Sequence, residues 1–452
     1  MHNININDTI SAISTPIGTG AISIVRLSGK DAVAIANKLF SKDILKFKSH
    51  TIHYGKILDK NKNIIDSVML SIMKGPNSYT GEDIIEINCH GGLEITKNVF
   101  EETLKNGARA AEPGEFTLRA FLNNKLDLAQ AEAVQELISA NSNAAIKFAK
   151  NNLEGLLSKE IKYFQKELSE VAAILEAWVD FPEEDLEFDS FENIQKKLSI
   201  IIEQMKKLSH TYYDGKVIFE GKSICIVGTP NVGKSSLMNS LLKKDRSIVT
   251  NIKGTTRDIL EDNIKIKNLN YRLIDTAGIR NTSEIIEKEG IKRSKKAIED
   301  SDIVILVLDS TKNLSKDDFE LIDLLDPKKT IVTFNKIDLK KSDYKLSFPH
   351  IIEISAKENI NIDELKDKIE FLSLNDINAF NEEIIITNKR HKSSLDNSIN
   401  YLIKVLNNLL TNSAEFVTLD MRDALKELSS IIGTDVTEDI LSSIFNNFCI
   451  GK

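Results

Sequence analysis

The sequence predicts a multidomain protein that combines α/β and all-α regions, and three observations support this. A glycine-rich phosphate-binding motif lies between a strand pattern and a helix pattern within residues 218–376, which indicates a nucleotide-binding α/β domain. Long helical spacing precedes this region at 125–217 and follows it at 377–452. Shorter alternating segments with turns occupy residues 1–124. We therefore expect an α/β domain inserted into one discontinuous helical domain, since loop tips tolerate insertions.

The N-terminal region predicts mixed α and β structure. The segment AISIVRLSG alternates apolar and polar residues like a strand, and DSVMLSIMKGPNSYTGEDIIEINCHGG predicts two strands around a glycine–proline turn. Helical spacing then begins in LDLAQAEAVQELISA and continues in KEIKYFQKELSEVAAILEAWVDF, where Pro182 ends it. After the α/β domain, ITNKRHKSSLDNSINYLIKVLNNLL and LDMRDALKELSSIIG again show helical spacing.

The phosphate-binding motif is GTPNVGKSS, from Gly228 to Ser236, and it follows the buried-strand pattern KSICIVG. Its glycines allow backbone N–H groups to surround phosphate oxygens, and the helix that begins in SSLMNSLL favours anions at its N-terminus. Lys234 is expected to reach the outer phosphates, and the Ser235 hydroxyl to hold Mg²⁺. A chance glycine loop is the alternative, which the order of strand, loop and helix disfavours. The predicted nucleotide contacts here are Asn231, Val232, Gly233, Lys234, Ser235 and Ser236.

Two further segments complete the phosphate side of the predicted site. DTAG follows the strand pattern YRLID, which places Asp275 near Mg²⁺ and Gly278 near the terminal phosphate. GTTRD supplies a threonine, Thr256, for the Mg²⁺ shell when GTP is bound. Ile279 stands where many regulatory GTPases carry a glutamine, and its aliphatic side chain cannot orient the attacking water. The predicted contacts of these segments are Thr256, Asp275, Thr276, Ala277 and Gly278.

The segment TIVTFNKIDL predicts that the base is guanine. Asp338 can accept hydrogen bonds from guanine N1–H and the exocyclic amine, a donor pair that adenine lacks. Asn335 can fix the loop and contact the base edge, and Lys336 can pack over the ring. A later strand pattern, IIEISAK, ends in a loop whose backbone N–H can meet the guanine oxygen. The predicted base contacts are Asn335, Lys336, Asp338, Ser355, Ala356 and Lys357, and the substrate is GTP.

Composition excludes several other classes. The net charge of −8 and pI of about 5.6 are unlike a generic nucleic-acid binder, so any RNA contact requires a local patch. Three distant cysteines show no zinc or redox spacing, and the acidic run at 181–189 is more typical of a solvated loop than of a metal site. The first residues lack a signal-peptide pattern, and the longest apolar run, IVILVL, is too short for a membrane span. We expect a cytoplasmic protein.

Several segments together resemble one known family. They are DTISAISTPIGTGAISIVRLSG, SYTGEDIIEINCHGG, PGEFTLRAFLNNKLDLAQAEAV, the nucleotide motifs and the terminal CIGK. In this order they cover the whole chain and resemble the bacterial tRNA-modification GTPases called MnmE or TrmE. The N-terminal segments and the CIGK end are the specific part of this resemblance, because the nucleotide motifs are shared by many GTPases.

The resemblance implies an architecture and a reaction. It implies an N-terminal α+β folate-binding domain similar to aminomethyl transferases, a helical domain and an inserted Ras-like P-loop GTPase domain. It implies a homodimer through the N-terminal domains, and a heterotetramer or larger complex with the flavoprotein MnmG, which uses FAD and NADH. The reaction implied is modification of C5 of the wobble uridine, U34, in tRNA to an aminomethyl or carboxymethylaminomethyl derivative. The one-carbon unit would come from a tetrahydrofolate in its 5-formyl or 5,10-methylene form.

The resemblance also assigns roles to residues. K⁺ beside the phosphates would take the place of an arginine finger. Glu287 would be the catalytic carboxylate, and Lys234 is the second predicted catalytic residue. Cys449 matches a cysteine considered catalytic in the family, although a plain near-terminal cysteine is an equal alternative. The matching K⁺ positions are Asn231, Thr250, Ile252 and Thr255, and all of them except Ile252 are also predicted GTP contacts. The matching folate positions are Arg26, Glu86, Lys125 and Lys452, each of which is a surface charge in the alternative interpretation.

Two alternative functions remain at this stage. A ribosome-assembly GTPase shares the nucleotide motifs, but it would usually carry a basic RNA-binding appendage, and none is evident in the sequence. A stand-alone folate aminomethyl transferase with a merely regulatory GTPase domain is the other alternative.

Overall fold

The computed structural model describes residues 7–180, 190–245, 262–267, 269–274, 297–341, 344, 346–374, 383–409 and 414–451. The chain divides into two compact units. The first comprises Met1–Ile138, Asn152–Leu198 and Asn397–Lys452, and the second comprises Ser139–Asn151 and Ser199–Asp396. The domain boundaries predicted at 124/125, 217/218 and 376/377 remain predictions. The acidic run at 181–189 lies outside the described residues.

The first unit contains a mixed six-stranded sheet in the order β3-β4-β5-β2-β1-β6. All its neighbouring strands are antiparallel except the parallel pair of β1 and β6. Helices α1, Ala32–Leu39, and α2, Leu93–Lys105, bury their apolar stripes against one face. The strands are β1 Ile10–Ile13, β2 Ile22–Ser28, β3 Thr51–Leu58, β4 Ile64–Met73, β5 Ile84–His90 and β6 Arg109–Ala110.

The side chains of this sheet alternate between a buried face and an open face, as the strand period of two requires. In β4, Val68 and Leu70 are buried in the core under the two helices, whereas Met69 between them is exposed. Tyr54 of β3 pairs with Met69 in the register and is likewise exposed. The strands predicted in AISIVRLSG and DSVMLSIMKGPNSYTGEDIIEINCHGG are thus confirmed as β2, β4 and β5.

Helices make up most of the described residues that lie outside the two sheets of the protein, as predicted. Helices α6 and α12 contact along their length in the first unit, where Gln165 donates a hydrogen bond to Ser429 at 2.9 Å. A small core joins α3, α4 and α13 through Leu118, Leu128 and Phe445. The helices are α3 Glu115–Leu122, α4 Leu128–Ser139, α5 Asn143–Leu153, α6 Leu156–Asp180, α7 Phe191–Glu220, α11 Lys389–Asn408, α12 Ala414–Ile432 and α13 Glu438–Phe445.

The second unit contains a six-stranded sheet in the order β12-β11-β10-β7-β9-β8. Its pairs are parallel except β8 with β9, and apolar cores cover both faces, as is typical of doubly wound α/β domains. Its helices are α8 Lys234–Asp245, α9 Lys316–Asp323 and α10 Ile362–Leu374. Its strands are β7 Lys222–Val227, β8 Asp262–Ile266, β9 Leu269–Ile274, β10 Ile303–Asp309, β11 Thr330–Asn335 and β12 Ile351–Ile354.

The parallel strands of this sheet direct the predicted motif residues to one edge. Gly228 follows β7, Lys336 follows β11, and Ser355 follows β12. Since the carboxyl ends of parallel strands meet at the same edge, these three loops lie side by side, where α/β sheets bind ligands. Within the described residues, no helix has the length and apolarity that a membrane crossing requires.

A buried guanidinium organises the edge of the first sheet. The Arg119 side chain of α3 is 0% exposed, and its nitrogens donate to Asp8 at 2.6 Å, to Glu115 at 3.0 Å and to Glu82 at 3.2 Å. Arg109 also donates to Glu115, at 2.6 Å. Burial raises the pKa of Glu115, but the hydrogen bonds from Arg109 and the Glu112 amide and the charge of Arg119 outweigh it, so the net pKa is lowered.

We predict that Arg119→Met destabilises the first unit by about 3–5 kcal/mol, because it leaves the buried Glu115 and the part-exposed Asp8 and Glu82 with fewer cationic partners. The matched control is Arg422→Met, which breaks an exposed pair with Glu176 and should change the free energy of unfolding by less than about 1 kcal/mol. Urea unfolding of parent and variants, followed by circular dichroism, measures both effects.

The pH dependence separates the charge of Arg119 from its packing. Because the pKa of Glu115 and that of Asp8 are lowered in the folded state, their stabilising contribution is present at neutral pH and is lost as the pH falls. The difference between parent and Arg119→Met should therefore stay nearly constant near neutral pH and narrow over the range from about pH 5 to about pH 2. A difference that stays constant over this range would contradict the electrostatic explanation.

Candidate functional site

The phosphate-binding loop connects β7 to α8, and close contacts explain its two glycines. A Cβ on Gly228, which has φ of 154°, would lie 2.3 Å from the Val307 carbonyl oxygen. A Cβ on Gly233, at φ of 103°, would lie 2.2 Å from Nδ2 of Asn335. Both distances are far shorter than any van der Waals contact, so only glycine fits at either position.

Lys234 is the first residue of α8, and its ammonium group lies within the loop. Nζ donates hydrogen bonds to the carbonyl oxygens of Gly228 at 2.7 Å and Thr229 at 2.8 Å. Burial lowers the pKa of Lys234, because desolvation disfavours its charged form. Ser235 and Ser236 follow it in the first turn of α8 and are exposed. This cation and the Ser235 hydroxyl fit a phosphate with its Mg²⁺ in chemical character.

A second side chain, Thr229, ties the phosphate-binding loop to α9. Its hydroxyl donates to Oδ1 of Asp318 at 2.9 Å. Asp318 also accepts from the hydroxyl and the backbone amide of Ser315, which completes the capping box of α9. This contact was not predicted from the sequence, although the spacing S-x-x-D at Ser315–Asp318 is a recognisable helix-start signal.

Asn335, the last residue of β11, connects the two halves of the site. Its Nδ2 donates to the Val232 carbonyl oxygen at 2.9 Å, and its Oδ1 accepts from the Ala356 amide at 3.0 Å. The residue is 3% exposed, so both hydrogen bonds lie away from water. Asn335 therefore holds its own loop against both the phosphate-binding loop and the loop after β12, and its contact with the base edge stays a prediction.

The residues predicted to contact the base lie at the same edge of the sheet. Ser355 is fully buried, and its hydroxyl accepts from the Glu358 amide at 3.2 Å. The Ala356 amide donates to Oδ1 of Asn335, so this N–H holds the loop after β12 against the loop after β11. Asp338 and Lys357 are exposed, with their side chains on the solvent side of the loops.

Part of the predicted nucleotide site lies outside the described residues, namely Thr250, Ile252, Thr255, Thr256, Asp275, Thr276, Ala277, Gly278, Ile279 and Glu287. Strand β9 ends at Ile274, immediately before Asp275, and it is parallel to β7. Its carboxyl end therefore lies at the same edge of the sheet as the phosphate-binding loop. The roles assigned to these residues remain predictions.

In the first unit, Arg26 and Glu86 lie opposite each other on β2 and β5. Nε of Arg26 donates to Oε1 of Glu86 at 2.9 Å, and Nη2 lies 2.8 Å from the same oxygen in an ion pair. Nη1 donates to the Gly451 carbonyl oxygen at 3.1 Å. The guanidinium also lies 5.6 Å from the centre of the Phe116 ring. The structure thus brings Arg26, Glu86 and the C-terminal segment together.

The remaining folate positions are not equally placed. Lys125 is exposed, and its Cε lies beside the Gly81 turn, 3.4 Å from where a Cβ on that glycine would be. Lys452 lies outside the described residues. Cys449 is exposed and has a free thiol. Its backbone carbonyl oxygen accepts a hydrogen bond from the Gly114 amide at 3.4 Å, which holds the C-terminal segment at the start of α3. Among the described residues, no group of three or more acidic, histidine or cysteine side chains is arranged to hold a metal ion.

Comparisons with known proteins cover nearly the whole chain. Residues 9–125 match the family described as the N-terminus of the GTP-binding protein TrmE, and residues 128–449 match the MnmE helical domain. A curated protein of Protochlamydia amoebophila named tRNA modification GTPase MnmE is 50% identical over 98% of this chain and 98% of its own length. The protein of the same name from Thermoanaerobacter pseudethanolicus is 45% identical over 98% of this chain and 99% of its own length. That from Clostridioides difficile is 44% identical over 99% of this chain and 100% of its own length.

Solved structures give matches of more limited extent. The G domain of the T. maritima FeoB iron transporter is 27% identical, with a TM-score of 0.26, and covers 34% of this chain and 98% of its own.

We predict that Asn335→Ala lowers guanine-nucleotide affinity about tenfold or more, because it removes two buried hydrogen bonds and leaves their partners unpaired. Asn239→Ala, on the exposed side of α8, is the matched control and should leave affinity unchanged within about twofold. Titration with a fluorescent GDP analogue measures both. Parental affinity in Asn335→Ala would show that the two loops keep their positions without this side chain.

Proposed function

Because the chain belongs to the family of tRNA modification GTPases named MnmE, we propose that it hydrolyses GTP with Mg²⁺ in the course of modifying tRNA. The observation that carries this proposal is the Asn335 side chain, which joins the phosphate-binding loop to the two loops expected to hold the base. A site braced in this way would bind the phosphates and the base of one nucleotide together.

We propose that Asp338 selects guanine. Its carboxylate follows the Asn335–Lys336 turn and is exposed, where an incoming base can meet it. Guanine offers it N1–H and the exocyclic amine, whereas adenine would leave the carboxylate without donors. A site that pairs polar groups with its substrate in this manner rejects an analogue that lacks them.

On the phosphate side, the Ser235 hydroxyl and Thr256 would hold Mg²⁺, whose charge stabilises the phosphate oxygens during transfer. Lys234 would turn from its loop carbonyls to the outer phosphates, and its desolvation makes this exchange of partners favourable. Glu287 would polarise the attacking water, a role that Ile279 cannot perform.

We further propose that K⁺ supplies positive charge beside the phosphates, with Asn231, Thr250, Ile252 and Thr255 as its ligands. Of these, Asn231 is described, and it occupies an exposed position in the phosphate-binding loop at φ of 64°. Asparagine tolerates this left-handed conformation better than most residues. Its side-chain oxygen is a suitable ligand for a hard cation.

The tRNA chemistry belongs to the same proposal. The wobble uridine would receive its C5 group from a tetrahydrofolate carbon, in the cytoplasm and in complex with the flavoprotein MnmG. Arg26, Glu86 and the C-terminal segment supply a guanidinium, a carboxylate and backbone groups at one place, with the Phe116 ring beside them. Such groups suit an anionic ligand with a hydrogen-bonding ring, and Lys125 and Lys452 would add positive charge. Cys449 is the candidate thiol.

A homodimer is proposed through the open face of the first sheet. Three large apolar side chains that neighbour one another on this face of β3 and β4 are exposed in the single chain, namely Ile52 at 62%, Tyr54 at 60% and Met69 at 43%. Exposed apolar groups of this size on one sheet are typical of a protein–protein interface.

We predict that the purified protein hydrolyses GTP and not ATP, and that Asp338→Asn weakens GTP binding about a hundredfold or more, because the amide cannot accept both guanine donors. Steady-state hydrolysis and nucleotide titration measure the two effects. Asp323→Asn on α9 is an exposed control with the same change of charge. Equal turnover of ATP and GTP by the parent would overturn the assignment.

We also predict that K⁺ accelerates hydrolysis well above Na⁺ at equal ionic strength, by about tenfold or more, since a positioned cation stabilises the charge that develops on the phosphates. Asn231→Ala should remove most of this difference. The measurement is the rate of phosphate release in the two salts for parent and variant. Identical parental rates would refute the K⁺ proposal and leave the GTPase proposal standing.

The function in the cell is tested by nucleoside analysis of tRNA from a strain that lacks the gene. We expect the modified wobble uridine to disappear, to return with the parental gene and to stay absent with Asp338→Asn, because hydrolysis must accompany modification. A normal wobble nucleoside together with accumulated ribosomal-RNA precursors would instead indicate a ribosome-assembly GTPase. Modification restored by Asp338→Asn would indicate a transferase whose GTPase domain is only regulatory.

A further inference from the structure

The end of β10 and the turn that follows it, Asp309–Thr311, lie beside the proposed guanine loop, residues 335–340, and hold it at three points. The Ser310 amide donates to the Asn335 carbonyl oxygen at 2.9 Å. The Ser310 hydroxyl donates to the Lys340 carbonyl oxygen at 2.6 Å. Oδ2 of Asp309 accepts from Nζ of Lys336 at 2.6 Å. The guanine loop therefore rests on a segment to which the sequence motifs assign no role.

Asp309 is itself fixed in one orientation. Its Oδ1 accepts from the Thr311 amide at 3.0 Å and from the Thr311 hydroxyl at 2.6 Å, and its side chain is 7% exposed. Burial raises the pKa of Asp309, but the hydrogen bonds from Lys336 and Thr311 outweigh it and the net pKa is lowered. The carboxylate is therefore charged at neutral pH, and Oδ2 is directed at Lys336.

Lys336 connects the two loops of the nucleotide site through its ammonium group. Besides Asp309, its Nζ donates to the Asn231 carbonyl oxygen at 2.8 Å. Both Lys336, at φ of 72°, and Asn231, at φ of 64°, have backbone in the left-handed region. Backbone of this kind is costly for residues other than glycine and persists only where surrounding contacts stabilise it. The Lys336 ammonium is such a contact for both loops.

We propose that Asp309 is a positioning residue that holds the Lys336 ammonium against the phosphate-binding loop, so that the guanine loop takes the position in which Asp338 reads the base. This rests on the proposed function, because it concerns the same GTP site. An ordinary buried ion pair would stabilise the domain without affecting which base is preferred. The proposal instead requires that base discrimination change when Asp309 loses its charge.

The test compares affinities for GDP and inosine diphosphate, which lacks the exocyclic amine that Asp338 would contact. Asp309→Asn keeps the shape of the side chain and removes its charge, and we expect it to lower the preference for GDP over inosine diphosphate about fivefold or more. Asp323→Asn, an exposed residue of α9, is the control and should keep the parental preference. An unchanged preference in Asp309→Asn, even with a lowered melting temperature, would overturn the proposal.

Two more variants keep the test decisive. Thr311→Val retains the Asp309 charge and removes one of its hydrogen bonds, so it should lower the preference about twofold even if Asp309→Asn folds poorly. In a Lys336→Met background, Asp309→Asn should have no further effect on the preference, because Asp309 acts through Lys336. A full and independent effect there would overturn the proposal. If the parent does not prefer GDP to adenosine diphosphate, the proposed function itself fails.

Discussion

The side-chain amide of Asn335 is the interaction on which the candidate nucleotide site depends. It donates to the phosphate-binding loop at Val232 and accepts from the loop after β12 at Ala356, and it is almost fully buried. Because an unpaired buried polar group is costly, the loss of either hydrogen bond would destabilise the site by more than the hydrogen bond itself contributes. The same close approach explains why Gly233 must lack a side chain.

Charged groups around this amide determine how the loops are held. Lys336 contacts Asn231 on one side and Asp309 on the other, and Thr229 contacts Asp318 on α9. These contacts come from segments that follow or flank different strands, so the position of each loop depends on its neighbours. A nucleotide that binds here would meet a largely preformed site, at least in the part of the chain that the structure describes.

The first unit uses buried charge in a comparable way. Arg119 has no exposure and is surrounded by Asp8, Glu82 and Glu115, which come from the chain before β1, the turn before β5 and α3 itself. Breaking such a network is costly because Glu115 stays buried and loses a cationic partner, which fixes the geometry of this edge of the sheet. The neighbouring pair of Arg26 and Glu86 is part-exposed and contacts the C-terminal segment, so it is better suited to meet a ligand.

The sequence by itself determined the elements and the motifs. The strand before Gly228, the helix that begins at Lys234 and the strand that ends at Asn335 were all predicted, because apolar periodicity and glycine conformation are local properties of the chain. The preference for guanine was predicted from the hydrogen bonds that the Asp338 carboxylate can accept. Only the tertiary structure showed that Asp309 holds Lys336, that Asp318 holds Thr229 and that Arg119 is a buried centre of charge. The physical reason is that these partners are distant in sequence, and which side chains meet depends on how strands and helices pack.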